Sequence, residues 1–272
     1  MRIGVFAKTF PGSEPAGVLE AVRDAGFAVT QFNLACAGLP SMPYVVPDDA
    51  MKAIAAASKS SGVALVALSG TYNMAHPDKV VRGDGLRRLA VIIETAAALA
   101  IPLVTLCTGT RNADDQWVHH PGNADPSAWT DMAAEMAKAL ELAERHGVDL
   151  GIEPEQANIV TSADDAMRLI TEMGSKRLRI VLDPANLFEQ ASVEQARIIV
   201  AEAVERTVGH VAMAHAKDRF ADGRFATAGQ GVVDFAGFVS RLKATGFDGP
   251  LVTHGLSAAE APGAARFLKV LV

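Results

Sequence analysis

Residues 147–155 have the sequence Gly-Val-Asp-Leu-Gly-Ile-Glu-Pro-Glu. The apolar run Val148–Glu153 begins after a glycine and ends in a carboxylate that a proline follows. A short apolar run bounded by turn residues is typical of a buried parallel strand. Gly147 suits the left-handed conformation that closes a preceding helix. The stretch therefore predicts a helix, a tight connection, a buried strand and a polar strand end, in that order.

Seven further apolar runs of the same kind occur along the chain: Ile3–Ala7, Ala28–Leu34, Val63–Leu68, Leu103–Cys107, Leu178–Asp183, Val211–His215 and Leu251–His254. The stretches between the runs have helical periodicity, as the stripe of Met132, Met136 and Leu140 illustrates. Eight strand–helix units in 272 residues give 34 residues per unit, with no linker between them. The sequence thus predicts an α/β protein, a single (β/α)8 TIM barrel domain over residues 1–272. The alternative, a doubly wound sheet, usually has a glycine-rich first turn, which is missing here.

Composition excludes several other classes of protein. Half of the residues are hydrophobic and the formal net charge is only −6, which excludes intrinsic disorder. The two cysteines cannot build a disulfide framework or a four-cysteine zinc site. No basic run points to nucleic acid, and no segment reads as a signal peptide or a membrane span. We expect a cytoplasmic protein without a nucleic-acid or membrane partner, and a homo-oligomer is compatible with the sequence.

Four consecutive runs end in a metal-binding type of side chain, namely Glu153, Asp183, His215 and His254. Their separations of 30, 32 and 39 residues each match about one strand–helix unit. Because strand ends of a closed barrel share one rim, the four side chains should converge. Each residue alone is more commonly a cap or a surface group, but four in succession favour a divalent metal ion, with Mn, Zn, Co and Mg as candidates.

The chain also resembles a known family, the xylose-isomerase-like barrels, which include sugar-phosphate isomerases and epimerases, tagatose-type 3-epimerases and inosose dehydratases. The resemblance spans the whole chain and is most specific in Gly151–Glu155, Leu182–Asn186 and His215–Asp218. It implies a divalent metal held by Glu, Asp, His and Glu at strands five to eight. The first three positions match Glu153, Asp183 and His215.

Two positions depart from the family pattern. His254 stands where the family usually has a second glutamate, and Asn186 stands where a histidine is common. Glu, Asp and two His around a divalent ion have a net charge of zero, whereas the usual three carboxylates and one His give −1. The less negative ligand set should make the ion a stronger Lewis acid. A catalytic His254 would give activity that falls as pH drops through the neutral range.

The resemblance implies a metal-dependent isomerase or epimerase of a sugar or sugar phosphate, acting by proton transfer through an enediolate. Its catalytic residues would be Glu153 and His254, and its substrate a small sugar or polyol. Further strand-end residues are expected to bind that substrate. They are Glu155, Asn73, Lys217, Asn186 and Arg219.

Other functions stay open at this point. One is a metal-dependent dehydratase of the inosose-dehydratase type, and another is a sugar-binding barrel without activity. A metal-dependent nuclease is disfavoured, because the chain has no basic patch and only seven histidines. The segment Gly229–Gly231 is either a turn or a weak phosphate site. If Asn158 is only a loop residue, its replacement by alanine should change neither turnover nor metal binding.

Overall fold

The computed structural model describes residues 1–272 and contains a closed barrel of eight parallel strands. The barrel strands are β1 (Arg2–Phe6), β2 (Val29–Phe32), β3 (Ala64–Ser69), β4 (Leu103–Leu106), β5 (Asp149–Ile152), β6 (Leu178–Leu182), β7 (Val211–Arg219) and β9 (Pro250–Thr253). Each pairs in parallel with its neighbour, and β9 closes the ring by pairing with both β7 and β1. This confirms the predicted (β/α)8 barrel.

Eight helices surround the barrel, one after each barrel strand. They are α1 (Pro15–Asp24), α2 (Asp48–Ser61), α3 (Lys79–Ala98), α4 (Pro126–His146), α5 (Ala163–Met173), α6 (Val193–Arg206), α7 (Phe235–Ala244) and α8 (Ala261–Lys269). Side-chain caps explain several helix starts, including Ser192, which forms a capping box with Gln195. Gly147 ends α4 with a φ of 71°, as its position in the sequence predicts. None of these helices is both long and apolar enough to cross a membrane.

The apolar core has two parts. The larger part fills the space between the strands and the helices. The smaller part fills the barrel interior and includes Val29, Leu103, Val181 and Met213. A Cβ atom at Gly151 would lie 2.8 Å from Cγ2 of Val181, so glycine permits close packing of this interior part. The apolar interior leaves the carboxyl end of the barrel as the place where polar side chains can meet.

Strand seven is longer than the sequence indicates. The apolar run ends at His215, but β7 continues to Arg219 and pairs in antiparallel fashion with a short additional strand, β8 (Phe225–Thr227). The hairpin stands on the rim of the barrel. It was not predicted, because β8 has only three residues and no alternating pattern.

Asp218 organises the loop that follows the hairpin. Its fully buried carboxylate accepts hydrogen bonds from the backbone N–H groups of Arg219, Gly229, Gly231 and Val233, at 2.8–3.1 Å. The two glycine N–H groups are therefore occupied within the chain. Of the two interpretations of Gly229–Gly231, the turn agrees with the structure.

Candidate metal centre

The four predicted strand-end residues meet at one point of the barrel rim. Glu153 and Asp183 directly follow β5 and β6, His215 lies within β7, and His254 directly follows β9. One donor atom from each of the four lies within 4.8 Å of the donor atoms of the others. Asp183 is fully buried and His215 is nearly so, whereas Glu153 and His254 retain some exposure. The cluster is therefore open on the side of the barrel mouth.

Short contacts join the donor atoms within the cluster. Nε2 of His254 lies 2.9 Å from Oδ2 of Asp183. Nδ1 of His215 lies 3.3 Å from Oε1 of Glu153 and 3.7 Å from the same Asp183 oxygen. The rings of the two histidines are 4.4 Å apart between centroids. The Asp183 carboxylate is thus the centre of the group.

The charges of the cluster perturb its pKa values strongly. Burial lowers the pKa of His215, but the charge of Glu153 and the contact with Asp183 outweigh it and raise this pKa to about 9. Burial would raise the pKa of Asp183, but Lys217 and the two histidines hold it well below its usual range. At neutral pH the metal-free cluster therefore contains a protonated His215 and an ionised Asp183.

His254 behaves in the opposite way. Burial lowers its pKa, and the positive charges of His215 and Lys217 lower it further, against the opposing effect of Asp183. Its imidazole is therefore neutral at pH 7. A neutral imidazole is the form that binds a metal ion.

Asn186 and Lys217 contact the carboxylates of the cluster directly. Nδ2 of Asn186 donates a 2.6 Å hydrogen bond to Oε1 of Glu153. Nζ of Lys217 donates to Oδ1 of Asn186 at 2.7 Å and lies 3.4 Å from Oδ2 of Asp183. The Lys217 side chain is only 8% exposed, so its ammonium group is a fixed positive charge beside the candidate ligands.

Gln31 also belongs to this site, although the sequence did not suggest it. Its side chain is buried at the carboxyl end of β2 and contacts Nε2 of His215 through Oε1 at 2.9 Å. Its Nε2 lies 3.2 Å from the hydroxyl groups of both Ser69 and Thr105. A lone glutamine within an apolar run carries no signal that would single it out.

Glu155 lies beside the cluster, and Asn158 donates a hydrogen bond to its carboxylate. Burial and the charge of Glu153 raise the pKa of Glu155 to about 7. Asn158 is buried; its Nδ2 donates to Oε2 of Glu155 at 3.1 Å, and its Oδ1 accepts from the Gly109 N–H at 2.6 Å. Asn158 is thus an internal support of two loops and not only a loop residue.

The remaining two predicted substrate contacts are engaged within the chain. Arg219 donates hydrogen bonds to the carbonyls of Ala185, Glu189 and Gly223, which ties the β7–β8 hairpin to the loop after β6. Asn73 lies in the loop after β3, where Oδ1 accepts from the N–H groups of Ala75 and Thr110 and Nδ2 donates to the Asn112 carbonyl. Asn73 thus braces the loops that follow β3 and β4.

The geometry of the cluster fits a divalent metal ion. Ligand atoms about 2.0–2.2 Å from a common ion lie roughly 3–4 Å from one another. The distances of 3.3 Å from His215 to Glu153, 3.7 Å from His215 to Asp183 and 2.9 Å from His254 to Asp183 match this spacing. Two carboxylates and two imidazoles suit Zn²⁺, Mn²⁺ or Co²⁺. Glu153, Asp183, His215 and His254 would hold such an ion.

The fold and the cluster define a class of protein, a (β/α)8 barrel with a candidate metal centre at the carboxyl ends of its strands. A family model described as a xylose isomerase-like TIM barrel matches residues 19–270. The chain therefore belongs to the xylose isomerase-like TIM barrel family, as the sequence resemblance predicted. No functionally curated protein matches the sequence.

Solved structures with the same fold include several sugar epimerases. The 3-keto-D-glucoside 4-epimerase YcjR from E. coli superposes with a TM-score of 0.78 at 18% identity, covering 99% of both chains. An L-ribulose 3-epimerase superposes with a TM-score of 0.77 at 22% identity, covering 99% of this chain and 93% of the epimerase chain. A D-psicose 3-epimerase from Clostridium cellulolyticum H10, solved with D-tagatose, superposes with a TM-score of 0.76 at 15% identity. The match covers 100% of this chain and 99% of the epimerase chain. At these identities the similarity establishes the fold.

Proposed function

We propose that this chain is a metal-dependent isomerase or epimerase that moves a proton on a carbon next to the carbonyl of a small sugar. The observation that carries the proposal is the convergence of Glu153, Asp183, His215 and His254 at one open point of the rim. The names of three structural neighbours, all sugar epimerases, support the substrate class. The family to which the chain belongs supports it as well.

The cofactor of this reaction is a divalent cation, with Mn, Zn, Co and Mg as candidates. When bound, such an ion supplies Lewis acidity that polarises the substrate carbonyl and makes the neighbouring C–H group more acidic. The fixed ammonium of Lys217, 3.4 Å from Asp183, adds positive charge on the same side of the pocket. Negative charge that develops on the substrate oxygen is therefore stabilised by the chain as well.

Glu153 is the base in this proposal. Its Oε1 accepts hydrogen bonds from Asn186 and His215, whereas its Oε2 makes no hydrogen bond within the chain. The side chain is 17% exposed, so a substrate can approach that free oxygen. His215 keeps the pKa of Glu153 below its ordinary value despite burial, so the carboxylate is ionised and able to accept a proton.

We assign His254 to the metal through Nε2. That nitrogen faces Asp183 at 2.9 Å, within the cluster, and one nitrogen atom cannot hold a metal ion and transfer a proton at the same time. The sugar hydroxyls would contact Glu155, Asn186 and Lys217, the polar residues beside the cluster. Arg219 would contribute indirectly, because it anchors the β7–β8 hairpin, which carries Lys217, to the loop after β6.

Proton exchange provides the direct test of this function. The protein is incubated in deuterium oxide with D-psicose, D-tagatose or L-ribulose and with each of Mn²⁺, Zn²⁺, Co²⁺ and Mg²⁺, and deuterium incorporation is followed by NMR. We expect incorporation at the carbon next to the carbonyl, with formation of the epimer or isomer. Glu153→Gln should reduce the exchange rate by roughly 100-fold or more.

Glu189→Gln is the matched control, because it neutralises an exposed glutamate close to the rim and should exchange at the wild-type rate. Loss of water from the sugar in place of epimer formation would indicate a dehydratase. Tight sugar binding without exchange under any metal would contradict an enzymatic function and favour a sugar-binding barrel.

A further inference from the structure

Gln31 faces the barrel interior because it lies two residues after Val29, which belongs to the interior apolar cluster, on the same face of β2. Thr30 pairs with Leu65, but Gln31 pairs with Ala67, so the register shifts between Thr30 and Gln31. The extra residue of this irregularity is Val66 on β3, so the alternation of side chains along β2 is unchanged. The Gln31 side chain is 7% exposed and lies at the carboxyl end of the barrel interior.

The Gln31 amide is held in one orientation. Nε2 lies 3.2 Å from Oγ of Ser69 and 3.2 Å from Oγ1 of Thr105, and both hydroxyl groups can accept its hydrogens. With the amide nitrogen engaged by β3 and β4, the oxygen Oε1 faces His215. It lies 2.9 Å from Nε2 of that ring.

This orientation determines which nitrogen of His215 faces the candidate ligands. A carbonyl oxygen can only accept, so Nε2 of His215 carries a hydrogen and donates it to Oε1 of Gln31. The opposite nitrogen, Nδ1, then faces the carboxylates of Glu153 and Asp183, at 3.3 and 3.7 Å. Metal-binding histidines commonly donate their second N–H to such a partner, which fixes the ring and its tautomer.

We propose that Gln31 is the positioning residue of the metal centre, and that its amide oxygen, held by Ser69 and Thr105, presents Nδ1 of His215 to the metal ion. The proposal rests on the metal centre of the proposed function. It assigns a role to a residue from β2, a strand that supplies none of the four candidate ligands. Without an acceptor at this position, the imidazole can rotate, or its neutral form can carry the single hydrogen on Nδ1 in place of Nε2.

Two substitutions at residue 31 separate this role from simple packing. Gln31→Met has a similar length but no acceptor, so it should weaken zinc binding by roughly 10–100-fold. Gln31→Glu keeps an acceptor for the Nε2 hydrogen and should bind zinc more tightly than the methionine variant does. Dissociation constants are measured by competition with a chromophoric chelator, and thermal unfolding of the metal-free proteins controls for folding.

Thr30→Val is the matched control. Thr30 is fully buried on the same strand, and its hydroxyl donates to the Val5 carbonyl, with no contact to His215. The variant should lose some stability and keep wild-type zinc affinity. If Gln31→Met does not fold, the double substitution Ser69→Ala with Thr105→Ala releases the amide and should weaken zinc binding instead.

NMR of the zinc-loaded protein with isotope-labelled histidine gives a readout independent of activity. The proposal predicts that His215 carries its hydrogen on Nε2 and binds zinc through Nδ1. Wild-type zinc affinity in Gln31→Met, or zinc on Nε2 of His215, would overturn the role of Gln31 and leave the proposed function standing. A wild-type protein that binds no divalent ion would overturn both.

Discussion

Single residues at the rim balance each other's charge. In the metal-free chain the carboxylates of Glu153 and Asp183 face the protonated His215 and the ammonium of Lys217, while His254 is neutral. Two negative and two positive groups thus compensate one another in a buried space. Such a cluster is stable only while every partner is present, since an unpaired buried charge is costly. Substitutions at these positions are therefore expected to change both stability and metal binding.

His254→Glu restores the residue that the family usually has at this position. In the metal-free protein the new carboxylate would lie beside Oδ2 of Asp183, where His254 now donates a hydrogen bond at 2.9 Å. We expect a loss of about 1–3 kcal/mol in the unfolding free energy without metal, and a larger gain on adding Mn²⁺ than the wild type shows. Urea unfolding with and without the ion measures both effects.

The control for this variant is His119→Glu, which makes the same change of charge in an exposed loop. It should alter neither the metal-free stability nor the gain from Mn²⁺. Equal metal-free stabilities of His254→Glu and the wild type would contradict the contact between His254 and Asp183.

Asn158→Ala tests a support that the sequence did not reveal. The substitution removes the hydrogen bond to Glu155 and leaves the buried N–H of Gly109 without a partner. An unsatisfied buried donor costs about 1–3 kcal/mol, and we expect this loss in urea unfolding. Gln116→Ala, in a neighbouring loop, should cost much less. If Asn158→Ala unfolds at the same urea concentration as the wild type, Asn158 is only a loop residue.

The predictable and unpredictable residues differ in one physical respect. The four candidate ligands could be predicted because each ends an apolar run, and the ends of parallel barrel strands share a rim. Gln31 and Asn158 contact partners that are 184 and 49 residues away, and neither lies in a pattern that marks it. Their roles depend on three-dimensional contacts between loops and strands.

At the scale of elements, the hairpin of β7 and β8 is the part of the rim that the sequence did not reveal. It carries Lys217 on its inner side, and Phe225 contacts both Lys217 and Arg219, with the two cationic groups 4.2 and 4.1 Å from the ring centre. Barrel strands could be predicted because burial on both faces produces a continuous apolar run. A rim hairpin has no such requirement, and its structure depends on Asp218 instead.

Asp218→Ala should therefore loosen the hairpin and the loop that follows it. The substitution leaves the N–H groups of Gly229, Gly231 and Val233 without their acceptor. We expect a loss of about 2–4 kcal/mol in unfolding free energy and faster hydrogen exchange at these three amides. Asp222→Ala, at the exposed tip of the hairpin, serves as the control. Unchanged exchange in Asp218→Ala would contradict the organising role of Asp218.

At the scale of the whole molecule, the candidate centre joins four separate strands of one closed barrel. Its ligands come from the ends of β5, β6, β7 and β9, and β9 also pairs with the first strand, β1. A metal ion bound there connects segments that are up to 101 residues apart in the sequence. Unfolding must break this site, so binding free energy adds to the stability of the barrel.

Metal addition should consequently raise the unfolding temperature of the entire domain. At a free Mn²⁺ or Zn²⁺ concentration about 100 times the dissociation constant, the expected stabilisation is about 2.7 kcal/mol. A chelator should reverse the shift, and Asp183→Asn should abolish it because the central carboxylate is lost. Differential scanning calorimetry measures the shift. An equal shift in the wild type and in Asp183→Asn would place the ion elsewhere.

A crystal structure of the protein with Mn²⁺, with the ion located by its anomalous scattering, would show whether the four rim side chains hold a metal ion. We expect one strong peak in contact with the carboxylates of Glu153 and Asp183, Nδ1 of His215 and Nε2 of His254. A map without a peak between these four side chains, while all four are ordered, would contradict the metal centre and the chemistry proposed for it.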